Sequence, residues 1–99
     1  MVGPLTLSSG EAVAVAFKGR RQSTIIGDTP EPGYAEATGW FPITADVTVN
    51  LSTAFFVDRN GMVVRRALAP DRLVHGWNFD RLERDPGVIA ALNWLARSR

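Results

Sequence analysis

The clearest pattern in the chain is a strict alternation of apolar and polar residues over positions 47–52. This period of two is typical of a half-buried β-strand, and the apolar character continues to Val57. The sequence Asp-Arg-Asn-Gly follows at 58–61, and positions 62–64 are apolar again. Because both central residues of a type I′ turn need positive φ, Asn-Gly between two apolar segments predicts a β-hairpin with a type I′ turn.

Residues 9–18 are predicted to form an α-helix. Serines at the start of this segment can cap its first turn, and Gly19 follows its last residue. The alternating valines also permit a strand, but alanines at every second position favour the helix. The helix places Val13 and Phe17 on one face.

A second helix is predicted for residues 86–97. Asp85 can cap this helix, and Pro86 suits its first position, because the N–H that proline lacks has no partner there. We expect Trp94 to pack the helix onto the sheet. Apolar residues with helical spacing form its predicted buried face. This face consists of Val88, Ala91, Leu92 and Leu95.

Between the helices, residues 23–27 predict a short buried strand, because they are β-branched and bounded by turn residues. Two prolines and a glycine make residues 28–33 a loop. The order of helix, several strands and helix predicts an α/β domain. The sequence contains no internal repeat and no low-complexity segment.

Composition narrows the possible classes of function. The 99 residues suffice for one small domain, and 45% of them are hydrophobic, as in ordinary globular proteins. The net charge of +1 comes from scattered basic residues, so no nucleic-acid partner is expected. Without cysteine and with one histidine, His75, the chain predicts no metal site, and nothing in it calls for an organic cofactor. No apolar run approaches the ~20 residues needed to span a bilayer.

Six short motifs occur in order along most of the chain. They are Thr-Leu-Ser-Ser-Gly-Glu at 6–11, Gly-Asp at 27–28, Pro-Gly-Tyr at 32–34, Asp-Arg-Asn-Gly at 58–61, Ala-Pro-Asp at 69–71, and the segment 85–95. In this order they resemble the C-terminal half of the catalytic core of the C-terminal processing peptidases, also called tail-specific proteases. The resemblance implies a serine peptidase that hydrolyses polypeptides through an acyl-enzyme, in the cell envelope or secreted.

The resemblance also implies a fold, a ββα-type (crotonase-like) core with a mixed sheet and two helices. Residues 1–99 would be the C-terminal part of this core, within a longer chain. Without the upstream elements, we expect the chain to expose apolar surface and a sheet edge. Self-association through that edge is then expected.

For the site, the resemblance implies that Ser8 is the nucleophile and that Glu11 is the assisting carboxylate. The N–H of Ser9 would contribute to the oxyanion hole. Helix N-termini support this placement independently, because their unpaired N–H groups and the macrodipole stabilise negative charge. Two alternatives stay open: Ser8 and Glu11 form only a capping box, or Ser9 is the nucleophile.

A serine nucleophile needs a base, and many of these peptidases use a lysine after the Gly-Asp motif, where this chain has none. Lys18 would lie ~15 Å from Ser8 along the helix, too far for a hydrogen bond. A second branch of the superfamily takes its base from a histidine that precedes the serine, so we expect the base outside residues 1–99. His75 matches no catalytic position and is expected near the surface.

Other polar residues are expected to be structural. Arg59 and Asp71 lie in turns, where a salt bridge or a turn cap is favoured over substrate binding. An acid that completes the triad would be one of Glu31, Glu36 and Asp46, and the sequence does not choose between them.

The alternative function is a non-catalytic ligand-binding or interaction module of the same fold, as in the retinoid-binding relatives of these peptidases. The missing loop lysine supports this alternative. An anion-binding helix terminus in an unrelated enzyme ranks last, because the chain has no Gly-rich phosphate loop of the usual spacing.

Overall fold

The computed structural model describes residues 1–30 and 36–98. Within these ranges it contains two α-helices, one 3-10 helix and five β-strands. In chain order they are α1 (Ser9–Phe17), β1 (Ile26–Gly27), β2 (Glu36–Pro42), β3 (Thr48–Val57), β4 (Val63–Val64), β5 (Arg72–Leu73), a 3-10 helix (Leu82–Arg84) and α2 (Pro86–Arg97). The predicted α/β class and the predicted positions of both helices are confirmed.

Helix α1 ends where the sequence predicts it to end. The N–H of Lys18 donates to the C=O of Ala14 (3.1 Å), and Gly19 then turns the chain with a φ of 70°, which favours glycine. The guanidinium of Arg59 donates to the C=O of Ala16 (2.8 Å). Arg59 therefore caps the last turn of α1, in agreement with the structural role predicted for it.

β1 lies in the middle of a small parallel arrangement. It pairs with β5 on one side and with Val2 on the other, where the Val2 N–H donates to the C=O of Ile26 (2.9 Å). Gly27 has a φ of 140°, and a Cβ at this position would lie 1.8 Å from the backbone oxygen of Val2. Glycine is therefore required for the N-terminal segment to approach β1 this closely.

The strand predicted at 23–27 is shorter than expected, because only Ile26–Gly27 belongs to it. The hydroxyl of Ser23 donates to the C=O groups of Phe17 and Arg20, so Ser23 belongs instead to the turn that follows α1. The parallel and antiparallel strands lie in two separate sheets. One has the order β1-β5 and the other the order β2-β3-β4.

β2 and β3, with the residues between them, form a long antiparallel ribbon at residues 36–57, called the ribbon below. Its register runs from Pro42 opposite Thr48 to Glu36 opposite Phe55, with one bulge. The ribbon confirms the strand predicted from alternation. The partner strand β2 was not predicted, because its residues do not alternate regularly.

β3 and β4 form the predicted hairpin, but the predicted type I′ turn is wrong. Within residues 58–61 only Gly61 has a positive φ (80°), and its N–H donates to the C=O of Asp58 (3.0 Å). The Asp58 carboxylate accepts from the N–H groups of Asn60 and Met62 (2.8 and 2.9 Å). This side-chain cap favours a type I turn followed by a left-handed glycine.

The N-terminus of α2 forms as predicted. The carboxylate of Asp85 accepts from the N–H of Val88 (2.9 Å), and Pro86 is the first helical residue. A second carboxylate oxygen of Asp85 accepts from the N–H of Asn78 (2.7 Å). Asp85 thus fixes both the helix and the chain segment that leads to it.

The predicted buried face of α2 is wrong for its larger residues. Leu92 and Leu95 are 60% and 53% exposed, whereas Trp94 is half-buried. Gly87 and Ala90 are buried instead, and α2 contacts β1. The small residues of α2 therefore lie on its buried side, and the leucines lie on the outside.

The molecule is elongated and its core is small. Its extents are 55 × 34 × 18 Å, and its radius of gyration is 16.2 Å, against about 13 Å for a compact domain of this size. Its accessible surface of 7192 Å² exceeds the roughly 5,500 Å² expected for its mass. The predicted exposure of apolar surface is confirmed. Neither helix described in residues 1–30 and 36–98 has the length and apolar character to cross a membrane.

Burial is low in the ribbon. No residue of β2 or β3 is buried, and both strands are described in full. Val47 and Leu51 are about half exposed, at 50% and 51%. β3 is therefore less buried than predicted: its partly buried residues are Val49 and Phe56, and Phe56 packs against the core cluster.

Candidate active site

Ser8 occupies the tight turn that leads into α1. Its φ and ψ are 52° and −114°, in the left-handed region that favours glycine. The C=O of Leu7 accepts from the N–H of Gly10 (2.9 Å), so residues 7–10 form a β-turn with Ser8 at its second position. These dihedrals at that position are typical of a type II′ turn. A residue held this way costs about 1–3 kcal/mol, and such strain clusters at functional sites.

The Ser8 hydroxyl does not cap the helix. Ser8 precedes the first helical residue, but its side chain makes no capping hydrogen bond, and it is exposed. N-cap serines usually have β-region dihedrals, which aim the hydroxyl back at the helix. Because Ser8 has a positive φ, its hydroxyl is not directed at the N–H groups of the helix. The capping box is therefore wrong in its serine half.

The helix N-terminus beside Ser8 offers hydrogen-bond donors. Ser9 is the first residue of α1, and the first N–H groups of an α-helix have no acceptor within the helix. The macrodipole places partial positive charge at the same end. An oxygen that gains negative charge next to Ser8 would be stabilised here. Ser9, by contrast, has helical backbone geometry and carries no strain of the kind found at Ser8.

Glu11 lies fully buried behind this turn, with 0% of its surface exposed. Neither of its carboxyl oxygens has a hydrogen-bond partner of good geometry among the described residues. Burial raises the pKa of Glu11, and the N–H groups of Leu68 and Ser8 that face the carboxyl group offset this only in part. Buried polar groups are nearly always paired, so an unpaired carboxyl group next to a strained serine is unusual.

Leu68 is the residue of this site that the sequence did not single out. It is 4% exposed and belongs to the core, and its N–H faces Glu11. The only signal near it was the Ala-Pro-Asp motif that begins one residue later. A backbone donor leaves no mark in the residue type, so a sequence cannot identify it.

Lys18 is hydrogen-bonded to residues other than Ser8. Its Nζ donates to the C=O of Ala69 (2.9 Å) and to the carboxylate of Asp71 (2.5 Å). Asp71 also accepts from the N–H of Ile25 (2.8 Å). Burial acts to raise the pKa of Asp71, but the bonds from Lys18 and Ile25 outweigh it, so the pKa is lowered. The salt bridge predicted for Asp71 is confirmed.

His75 is a surface residue, as predicted, with 77% of its side chain exposed. Its Nδ1 lies 3.2 Å from the carboxylate of Asp28. The N–H of Thr29, with a smaller contribution from His75, lowers the pKa of Asp28. In the described part of the chain, neither His75 nor Lys18 is hydrogen-bonded to Ser8.

The three candidate acids are not gathered at Ser8 by any described contact. Glu36 begins β2 and is half-buried, and Asp46 is exposed between β2 and β3. Glu31 and the Pro-Gly-Tyr motif at 32–34 lie outside the described residues. The residues that the structure brings together are therefore Ser8, Ser9, Glu11 and Leu68.

Comparison of the sequence with protein-family models finds no match, and comparison with curated proteins finds none either. Within residues 1–30 and 36–98, no three His, Asp or Glu side chains are grouped so that they would hold a metal ion. The candidate site therefore rests on the geometry around Ser8 and on the motifs of the sequence.

Proposed function

We propose that the chain is the nucleophile-bearing, C-terminal part of the catalytic core of a serine peptidase of the C-terminal processing kind. In this proposal the core is of the ββα (crotonase-like) type, and the enzyme hydrolyses polypeptides through an acyl-enzyme. The observation that carries the proposal is the strained conformation of Ser8, with φ 52° and ψ −114°, directly before α1. Strained turns between a preceding segment and a helix expose the nucleophile in other hydrolases.

In the proposed reaction the Ser8 Oγ forms a bond to the carbonyl carbon of the substrate, and its proton passes to a base. The negative charge on the carbonyl oxygen is stabilised by the Ser9 N–H and the N-terminus of α1. Collapse of this intermediate breaks the C–N bond, and the amine leaves with the proton from the base. Water, deprotonated by the same base, then attacks the acyl group, releases the acid and restores Ser8.

Glu11 assists from inside the fold. Burial raises the pKa of its carboxyl group, because a charged carboxylate is disfavoured away from water. The N–H groups of Ser8 and Leu68 face the same carboxyl group. Glu11 thereby supports the strained turn at Ser8 and connects this turn to the segment at Leu68.

The base in this proposal is a histidine outside residues 1–99. Support comes from the described hydrogen bonds, in which Lys18 is bonded to Asp71, His75 is bonded through Nδ1 to Asp28, and neither is bonded to Ser8. Residues 1–99 alone are then expected to be inactive. The same observation favours the second candidate function, a non-catalytic ligand-binding or interaction module with this fold.

A fluorophosphonate probe tests the nucleophile. We would label the longer protein to which the chain is proposed to belong, and residues 1–99 alone, and identify the modified residue by mass spectrometry. Labelling of the longer protein that is lost in Ser8→Ala and kept in Ser9→Ala is expected. No labelling of a well-folded longer protein would overturn the peptidase proposal and favour the binding module.

We also propose that residues 1–99 self-associate through the exposed edge of β2. The strand order β2-β3-β4 leaves one side of β2 without a partner strand within the described sheet. Unpaired strand edges are templates for pairing with another chain. Light scattering over a concentration series should give a mass above that of the monomer, and a constant monomer mass at high concentration would contradict this.

A further inference from the structure

A cavity of about 280 Å³ opens beside the N-terminal segment. It is slightly smaller than the range of about 300–1,000 Å³ usual for small-molecule sites, so it suits one large side chain. The rings of Trp77 and Phe79 meet edge to face at 4.6 Å between centroids. Gly27 and Gly76 also line the cavity. The apolar walls include Pro4, Leu5, Trp77 and Phe79.

The walls of this cavity are fixed by hydrogen bonds. The N–H of Gly3 donates to the hydroxyl of Thr6 (2.9 Å), and the N–H of Thr6 donates to the C=O of Gly3 (2.8 Å). The N–H of Asp28 donates to the C=O of Val2 (3.2 Å) on the opposite wall. Because both walls are tied to the parallel arrangement around β1, the cavity is formed before anything enters it.

The polar groups of the cavity determine the charge that it accepts. Asp28 and Asp85 are among the residues that line it. The Thr29 N–H lowers the pKa of Asp28, and the N–H groups of Asn78 and Val88 lower the pKa of Asp85, so both carboxylates are ionised at neutral pH. A negatively charged occupant would be repelled. The apolar walls favour an apolar occupant.

The cavity lies within reach of the candidate nucleophile. Leu5 and Thr6 belong to its wall, and Thr6 is two residues before Ser8. Two residues span at most about 7 Å. Successive residues of an extended peptide are about 3.3–3.6 Å apart along the chain, so a peptide with its carbonyl at Ser8 places a side chain one or two residues away at this cavity.

We propose that this cavity binds a large apolar side chain of a polypeptide substrate, one or two residues from the scissile bond, and that Trp77 and Leu5 set this preference. The inference rests on the proposed function for its position in the reaction. The binding itself requires no catalysis and is testable separately.

The test uses 15N-labelled residues 1–99 with Ser8→Ala and the peptides acetyl-Ala-Ala-X-Ala-amide, where X is Phe, Leu, Ala or Glu. Binding is measured from amide chemical shifts at Gly3, Thr6 and Gly76. The peptides with Phe and Leu should bind at least about tenfold more tightly than the peptide with Glu. Equal binding of all four, or shifts confined to the ribbon, would overturn the proposal.

Two variants and a matched control locate the binding. Trp77→Ala removes a wall, and Leu5→Trp fills the cavity from a residue that is already 65% exposed. Each should weaken binding of the Phe peptide at least about fivefold. Trp40→Ala is the control, because Trp40 is 71% exposed and does not line the cavity. Equal losses in all three variants would contradict the assignment.

The outcomes separate this inference from the proposed function. Fluorophosphonate labelling of Ser8 without peptide binding in the cavity would leave the peptidase proposal intact and remove the substrate pocket. Peptide binding in the cavity without labelling in any form of the protein would remove the peptidase proposal and keep the pocket as a ligand site.

Discussion

The body of the molecule, residues 1–30 and 65–98, and the ribbon are built in opposite ways. Within the described residues, the buried hydrophobic side chains all belong to the body, whereas Trp40, Phe41 and Ile43 of the ribbon are 43–71% exposed. Yet the ribbon has the longer strands, of seven and ten residues, against two-residue strands in the body. In this molecule the regular strand pairing is therefore in the ribbon, whereas the buried side chains are in the body.

The ribbon shows what the alternation of apolar and polar residues determines by itself. Gly39 lies opposite Leu51, and Phe41 lies opposite Val49. Residues two apart point to the same face, so these four form an apolar face, and the other face is mostly polar apart from Trp40. A two-stranded ribbon is marginally stable in water by itself, and its apolar face is uncovered. The body, by contrast, is held by close approaches between short segments.

The largest expected effect is that of Gly27→Ala in the body. The added Cβ would lie 1.8 Å from the Val2 oxygen, at a φ of 140° that side chains rarely adopt. We expect a loss of more than about 4 kcal/mol in the free energy of unfolding, measured by urea denaturation. Gly3→Ala is the control, because a Cβ at Gly3 meets nothing within 4 Å. Similar stability of both variants would contradict the close approach.

A pair of isoleucines tests the contrast directly. Ile26 in the body is 2% exposed, whereas Ile43 in the ribbon is 64% exposed. Ile26→Ala should lower the free energy of unfolding by about 2–5 kcal/mol, because it leaves a cavity. Ile43→Ala should change it by less than about 0.5 kcal/mol. Comparable losses in the two variants, measured by urea denaturation, would mean that the ribbon is covered in solution.

The smallest of the three effects concerns the pH dependence of Glu11. Its pKa is raised in the folded state, so the folded protein binds the proton more tightly than the unfolded one. Stability from this group is complete below the unfolded pKa and is lost as the pH rises through the folded pKa. Glu11→Gln removes this loss. The free energy of unfolding of the variant, relative to that of the natural chain, should therefore rise by about 1–3 kcal/mol from pH 4 to pH 8.

The measurement for Glu11 is urea denaturation at pH 4, 6 and 8. Glu83→Gln is the matched control, since Glu83 is exposed in the 3-10 helix. A gain that grows with pH in Glu11→Gln and not in Glu83→Gln is expected. A gain that falls with rising pH would show that the Glu11 carboxylate is paired in solution.

Elements with a local cause were predictable from the sequence. Asp85 and Pro86 gave the start of α2, and Gly19 gave the end of α1, because caps act within a few residues. The hairpin was predicted for the same reason. Its turn type was not, because the Asp58 carboxylate competes for the N–H groups of the turn and a dipeptide pattern does not include it.

Features set by distant residues were not predictable. The N–H that faces Glu11 comes from Leu68, 57 positions away, and helical spacing gave no sign that Leu92 would be exposed. The candidate site was predicted as a set of residues from the motif at 6–11. The strained conformation of Ser8 was not, since serine is more often a cap than a turn residue of type II′.

The contact between the hairpin turn and α1 connects the elongated ribbon to the helix that carries the candidate site. A Cβ at Gly19 would lie 2.5 Å from the Asn60 side chain, and Arg59 donates to the C=O of Ala16, so the turn is seated on the last residues of the helix. Nine residues of helix make a stiff rod of about 13 Å, with Ser8 at its other end. The ribbon is thus attached through this turn to one end of α1, and Ser8 lies at the other end. We expect a force on the tip of the ribbon to tilt α1 and so to move Ser8.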